Sequence, residues 1–269
     1  MVANVFLHEF RMKLKSALGW SVAVAAVVFA FSAMFSTISS QIGSVNDFLN
    51  NFPKELLIAF GLNGVDLSTI LGFYSFMFLF AQLLLAIQAA SYGFGLVSVE
   101  EAEWTADFLL TKPVKRDRIL SSKLLAAFAG LTITNAATWV ASLTFLNLFK
   151  GSQSFDTGTL FLLLASIVVF QLFFLGVGLG VSLLVKRVRS VITYALALSF
   201  GMYVLAAFGN LLGSSILEKI SPFKHFDPVY IIGHNSYDAP LVVVSVLVIV
   251  VSIAAGYMLY TRRDIPAVA

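Results

Sequence analysis

The chain has 269 residues, of which 59% are hydrophobic and 12% charged, with a mean hydropathy of +0.93 and a formal net charge of +3. A water-facing surface is roughly 25–35% charged, so this balance excludes a soluble domain and defines a polytopic membrane protein. There is no cysteine, which excludes disulfides and thiolate chemistry.

In chain order, residues 3–16 come first. Phe6, Phe10, Lys13, Leu14 and Ala17 fall on one helical arc with Leu7 beside them, and His8, Glu9, Arg11, Lys15 and Ser16 on the other. This pattern predicts an amphipathic interfacial helix on the membrane surface, serving as a topology anchor or helping to position a cytoplasmic partner. A first span is expected at 18–39. Its apolar run is too long for the h-region of a cleaved signal peptide, so it is expected to stay. Further spans are expected at 68–99, 119–149, 159–185, 191–212 and 240–260. The second and third would each be ~45 Å long at 1.5 Å per residue, more than the ~30 Å bilayer core. They are expected to tilt or to project towards the segment that joins them. The whole chain reads as one transmembrane domain, all-α with six spans, and no repeat at the residue level divides it.

All but four of the 17 Lys and Arg residues precede the first span, lie between the second and third or the fourth and fifth, or follow the sixth. The exceptions are Lys54, Lys150, Lys219 and Lys224. Basic loops stay cytoplasmic, so both termini are expected inside, with 213–239 as an outer loop.

The segment from Glu100 to Lys123 stands apart. Glu100, Glu101 and Glu103 suit the start of a short helix, where the dipole favours anions. Trp104 and Phe108 share a face at i, i+4, as do Thr105 and Leu109. Beyond Pro113, Lys115, Arg116 and Arg118 would lie near anionic headgroups. An ordinary positive-inside loop needs the basic half only. The carboxylates and the aromatic pair suit docking.

The order of these residues resembles the membrane-spanning subunits of ABC-2 type transporters. The positions that carry the resemblance are Glu100, Glu101, Thr105, Leu109, Leu110, Pro113, Val114, Arg116, Ile119 and Lys123. Trp104-Thr105-Ala106-Asp107 departs mildly from the Gly-Thr-Leu-Glu common there. Residues 52–62, 221–232 and Arg263-Asp264 resemble the family's first outer loop, last outer loop and end of the sixth span. The resemblance implies that 100–112 is a cytoplasmic coupling helix seated on an ATP-binding subunit. Its contact residues would be Glu100, Glu101, Glu103, Trp104, Thr105, Asp107, Phe108, Leu109, Leu110, Pro113 and Arg116. It also implies an exporter in the plasma membrane, built from two six-span subunits, identical or related, and two ATPase subunits. The chain has no G-x-x-x-x-G-K-[ST] phosphate loop, so ATP and magnesium are expected on the partner, with no cofactor and no catalytic residue here. Nucleic acid is not an expected partner.

All 14 acidic residues lie in loops or at helix ends, unlike ion-coupled carriers, which keep ionisable groups at depth. Polar residues in the spans include Gln82, Thr132, Asn135, Thr138, Gln171, Thr193, Tyr194 and Asn210. Gln88, Ser91, Tyr92 and Gly95 share a helical face, read either as interhelical hydrogen bonding or as the lining of a substrate path. The G-x-x-x-G pair Gly176 and Gly180 is read as close helix packing. His225, Asp227, His234 and Asp238 show no tight ligand spacing, so no metal is expected. Two other function classes remain. One is a non-transporting anchor or signal-transmitting subunit of an ATPase complex. The other is an intramembrane enzyme, for which Thr105 stands where an E-E-x-x-x-R motif needs Arg, and His8, His225 and His234 lie outside the spans.

Overall fold

The computed structural model describes residues 2–40, 51, 53–59, 61–62, 65–102, 115–185 and 188–262. The regular structure among them is helical: α1 Val2–Ser40, α2 Lys54–Ala59, α3 Ile70–Ala102, α4 Arg116–Phe149, α5 Thr157–Leu184, α6 Val191–Leu212, α7 Ser215–Ile220, α8 Pro222–His225, α9 Pro228–His234 and α10 Ala239–Arg262. By length and composition, 6 of them can cross a membrane: α1, α3, α4, α5, α6 and α10.

The boundaries follow local chemistry. Asp156 caps α5, its carboxylate accepting from the backbone N–H of Gly158 at 3.1 Å and of Thr159 at 2.9 Å, which satisfies donors that the first turn leaves open. α6 stops at Gly213, whose φ of 58° is the left-handed conformation glycine adopts without penalty. Pro222 and Pro228 open α8 and α9, where a missing N–H costs nothing.

Residues 3–16 and the first span, expected as two elements, form one uninterrupted helix in α1. No proline interrupts it, and the join is held from both sides. Ala17 is fully enclosed, and its carbonyl accepts from Ser21 Oγ at 2.7 Å and from Thr134 Oγ1 of α4 at 3.3 Å.

α3 and α5 form the centre. In their most apolar windows 67% and 61% of residues are buried, against 17% in each of α6 and α10, which lie outside them. The central pair is drawn together by glycine: a Cβ on Gly93 would lie 2.3 Å from the Leu175 carbonyl oxygen, and one on Gly178 would lie 3.0 Å from that of Ala90. Gly176 and Gly180 face the other way, where their Cβ positions meet Ser252 of α10 at 3.5 and 4.0 Å. α5 thus uses small residues on two faces. Between lipid-immersed helices no hydrophobic driving force acts, and close van der Waals packing takes its place.

The 213–239 segment folds back into the bundle. Phe223 packs edge-on against Phe170 and Phe174 of α5 and Tyr203 of α6, with centroids 5.1, 5.9 and 5.6 Å away. Gln82 Nε2 of α3 donates to the Phe226 carbonyl at 2.9 Å. Gln82 lies twelve residues into α3, ~18 Å from its start at 1.5 Å per residue, so α8 inserts deeply. Irregular backbone at such depth survives only inside protein with its polar groups met. Accordingly Ser221 Oγ donates to the Met202 carbonyl at 2.7 Å, and His225 Nδ1 pairs with Ser245 Oγ of α10 at 2.6 Å.

Candidate functional site at the basic end of the bundle

The hairpin of α3 and α4 carries the segment singled out in the sequence. Glu100 and Glu101 are in the last turn of α3, and Arg116 opens α4 behind Lys115, whose φ and ψ are −65° and 144°. Glu103, Trp104, Thr105, Asp107, Phe108, Leu109, Leu110 and Pro113 lie outside the described residues. The structure therefore defines the two arms that hold the segment.

A charged cluster ties these arms to α1. Lys123 of α4 is only 3% exposed, and its ammonium donates to the Leu96 carbonyl of α3 at 2.8 Å. Glu9 of α1 approaches the same ammonium at 3.7 Å and Lys13 at 4.0 Å. Lys13 Nζ in turn sits 5.1 Å from the centroid of the Tyr92 ring, and Tyr92 OH donates to the Lys13 carbonyl at 3.4 Å. Gly130 makes room for that ring, since a Cβ there would be 3.0 Å from Tyr92 Cε2. The sequence placed Lys123 among the loop cations. Its position seven residues into α4, on the face of the buried Ile119, Leu120 and Ala127, is the signal that it turns inward.

Deeper in the bundle, a chain of side-chain hydrogen bonds crosses four helices. Gln171 Nε2 of α5 donates to Gln88 Oε1 of α3 at 3.4 Å, and Gln88 Nε2 donates to Thr134 Oγ1 of α4 at 2.8 Å. Thr134 Oγ1 is the group that reaches the Ala17 carbonyl of α1. Gln88 and Gln171 are fully buried and Tyr92 is 5% exposed. Ser91 belongs instead to a half-buried strip of α3 with Gly95, and its enclosed Oγ has no hydrogen-bond partner among the described residues. Gln88 and Tyr92 thus bond within the chain, while Ser91 and Gly95 look towards its periphery. Such contacts average ~0.6 kcal/mol each, so they specify register more than they add stability.

At the opposite end, the residues screened as metal ligands have other partners. Asp227 caps α9 through the Val229 N–H at 2.9 Å and pairs with Lys224 at 3.2 Å. Among the described residues no group of three His, Asp or Glu converges. Burial holds the His225 imidazole below its ordinary pKa. The nearby carbonyls of Lys219 and Glu218 and the charge of Asp238 oppose that shift more weakly. A cavity of about 30 Å³ lies between α2, α6 and α8, lined in part by Tyr203, Asn210, Lys224 and Asp227. That is space for a water or two.

Six apolar helices around a buried polar network, with a charged hairpin at one end, define a multi-pass membrane protein of the transporter kind. The sequence model described as ABC-2 family transporter protein matches residues 3–265, and the chain belongs to that family. It is a permease component of an ABC transporter, a membrane transport component and not itself catalytic. No curated protein matches it.

Proposed function

We propose that this chain is the membrane-spanning subunit of an ATP-driven exporter and that a separate ATPase subunit drives it through residues 100–116. The observation that carries this reading is the hairpin. Two of the longest helices, α3 with 33 residues and α4 with 34, hold between them a segment rich in acidic and aromatic side chains. Trp104 and Phe108 act as apolar anchors, with Thr105, Leu109 and Leu110 on or beside the same faces. Glu100, Glu101, Glu103 and Asp107 meet basic groups on the ATPase, and Pro113 ends the docking half before Arg116. ATP and magnesium bind the partner, because this chain has no phosphate loop. Closure of two ATPases on ATP then moves the two hairpins of a pair of permease subunits.

The basic residues put this end, with both termini, in the cytoplasm of a cell bounded by the plasma membrane. The tight seam at Gly93 and Gly178 leaves no channel between α3 and α5, which favours a path between two permease subunits. Of the polar stripe, Ser91 is the residue suited to line it, and Gln88 and Tyr92 stand behind. The uncharged interior suits an amphipathic or hydrophobic cargo better than a small ion.

The experiment is purification of the complex from membranes. Replacing Trp104 and Phe108 together with Ala removes the anchors in which docking energy concentrates. The ATPase should be lost while the chain still inserts and folds. Undiminished recovery of the ATPase with the double variant would overturn the assignment.

A further inference from the structure

We propose that Lys123 is a positioning residue that joins α1 to the α3–α4 hairpin, so that a displacement of the hairpin tip is passed to α1. The proposal rests on the coupling reading above and adds the route by which movement leaves the hairpin. Lys123 is seven residues from the start of α4, and Leu96 is six residues before the end of α3. At 1.5 Å per residue, this tie lies ~10 Å from where the docking segment departs. Its ammonium is donated inward to the Leu96 carbonyl at 2.8 Å, with Glu9 of α1 at 3.7 Å. A cation kept only for membrane orientation extends its head to water. Lys123 does the opposite, and taking an ammonium out of water is costly unless partners compensate.

The second half of the link is on α1. Glu9 also faces Lys13, whose ammonium lies against Tyr92 of α3 and whose carbonyl accepts from Tyr92 OH. The two contacts hold α1 at points one helical turn apart, so α1 follows the hairpin as a lever and not about a single hinge. Because α1 is unbroken from Val2 to Ser40, a displacement at Glu9 reaches its far end. Apolar packing alone would let α1 slide; the ion pair fixes its register.

The cysteine-free chain makes the test direct. Ser16, exposed on α1, is replaced by Cys in the full complex with its ATPase, and its labelling rate by an impermeant maleimide is compared without nucleotide and with ATP plus vanadate. In the parent complex the ratio of the two rates should be about fivefold, the low end of ordinary allosteric coupling. Lys123→Met and Glu9→Gln should each bring the ratio close to one while ATPase co-purification is kept, and Lys123→Arg should retain it. A purely structural role would not separate binding from the nucleotide response. The parent ratio persisting in both Lys123→Met and Glu9→Gln overturns the proposal, and Glu9→Gln decides alone where Lys123→Met does not fold. A parent complex that keeps its ATPase but shows no nucleotide response at Ser16 overturns this route and leaves the docking assignment standing. Loss of the ATPase from the parent complex overturns both.

Discussion

Gly93 is where a single atom matters most. A Cβ there would sit 2.3 Å from the Leu175 carbonyl oxygen, closer than any relaxed contact, so α3 and α5 would have to part. Gly93→Ala is expected to lower stability by about 1–3 kcal/mol, the usual cost of overpacking. Gly201→Ala on α6, where nothing lies within 4 Å, should be neutral or mildly stabilising, helix propensity favouring Ala. Thermal melts in detergent compare the two; equal loss would contradict the seam. His225 carries a pH prediction. Its folded pKa is depressed mainly by burial, so below the unfolded value of about 6.5 the unfolded chain binds more protons. The stabilisation is fully present above that value and is lost as pH falls towards the folded pKa. The melting temperature should therefore drop from pH 7.5 to 5.5, and His225→Gln should flatten the drop. A parallel curve for the variant would show that other groups titrate there.

At the scale of elements, sequence and structure agree most where hydrophobic pattern alone decides. The expected fifth span, 191–212, coincides with α6, and the other spans differ by a few residues at their ends, apart from the first. Long apolar runs leave one solution in a bilayer, because every backbone group must be paired within the chain. The join between residues 3–16 and the first span was not legible. Amphipathicity marks a change of surroundings along a helix, whereas continuity at Ala17 depends on Thr134, which is distant in sequence. Lys123 was read as a loop cation for a related reason: counting charges gives the side of the membrane but not the direction of a side chain. The insertion of α8 was likewise hidden, since Pro222 and Pro228 announce turns but not depth. Gln82 and Ser245 supply the contacts that hold it, and both are single polar residues in apolar runs. Gln82→Leu removes the donor to the Phe226 carbonyl and should raise protease sensitivity in 213–239 while the six spans stay folded. An unchanged digestion pattern would mean that aromatic packing suffices.

At the scale of the whole molecule, the account describes a rigid centre of α3 and α5, outer helices α6 and α10 that expose most of their surface, and one charged end at which α1, α3 and α4 are tied together. The orientation predicts that a cysteine replacing exposed Ser236 reacts with an impermeant thiol reagent from outside intact cells. One replacing exposed Arg189 should react only after the cells are opened. Reversed labelling would invert the molecule. The central claim is that residues 103–114 meet an ATPase, and site-specific photo-crosslinking tests it most directly. With a photoreactive amino acid at Phe108, irradiation of membranes should give one dominant adduct whose partner contains a phosphate loop and binds ATP, and the same group at Ser236 should give none. An adduct at Phe108 with lipid alone, or equal adducts at both positions, would contradict the claim.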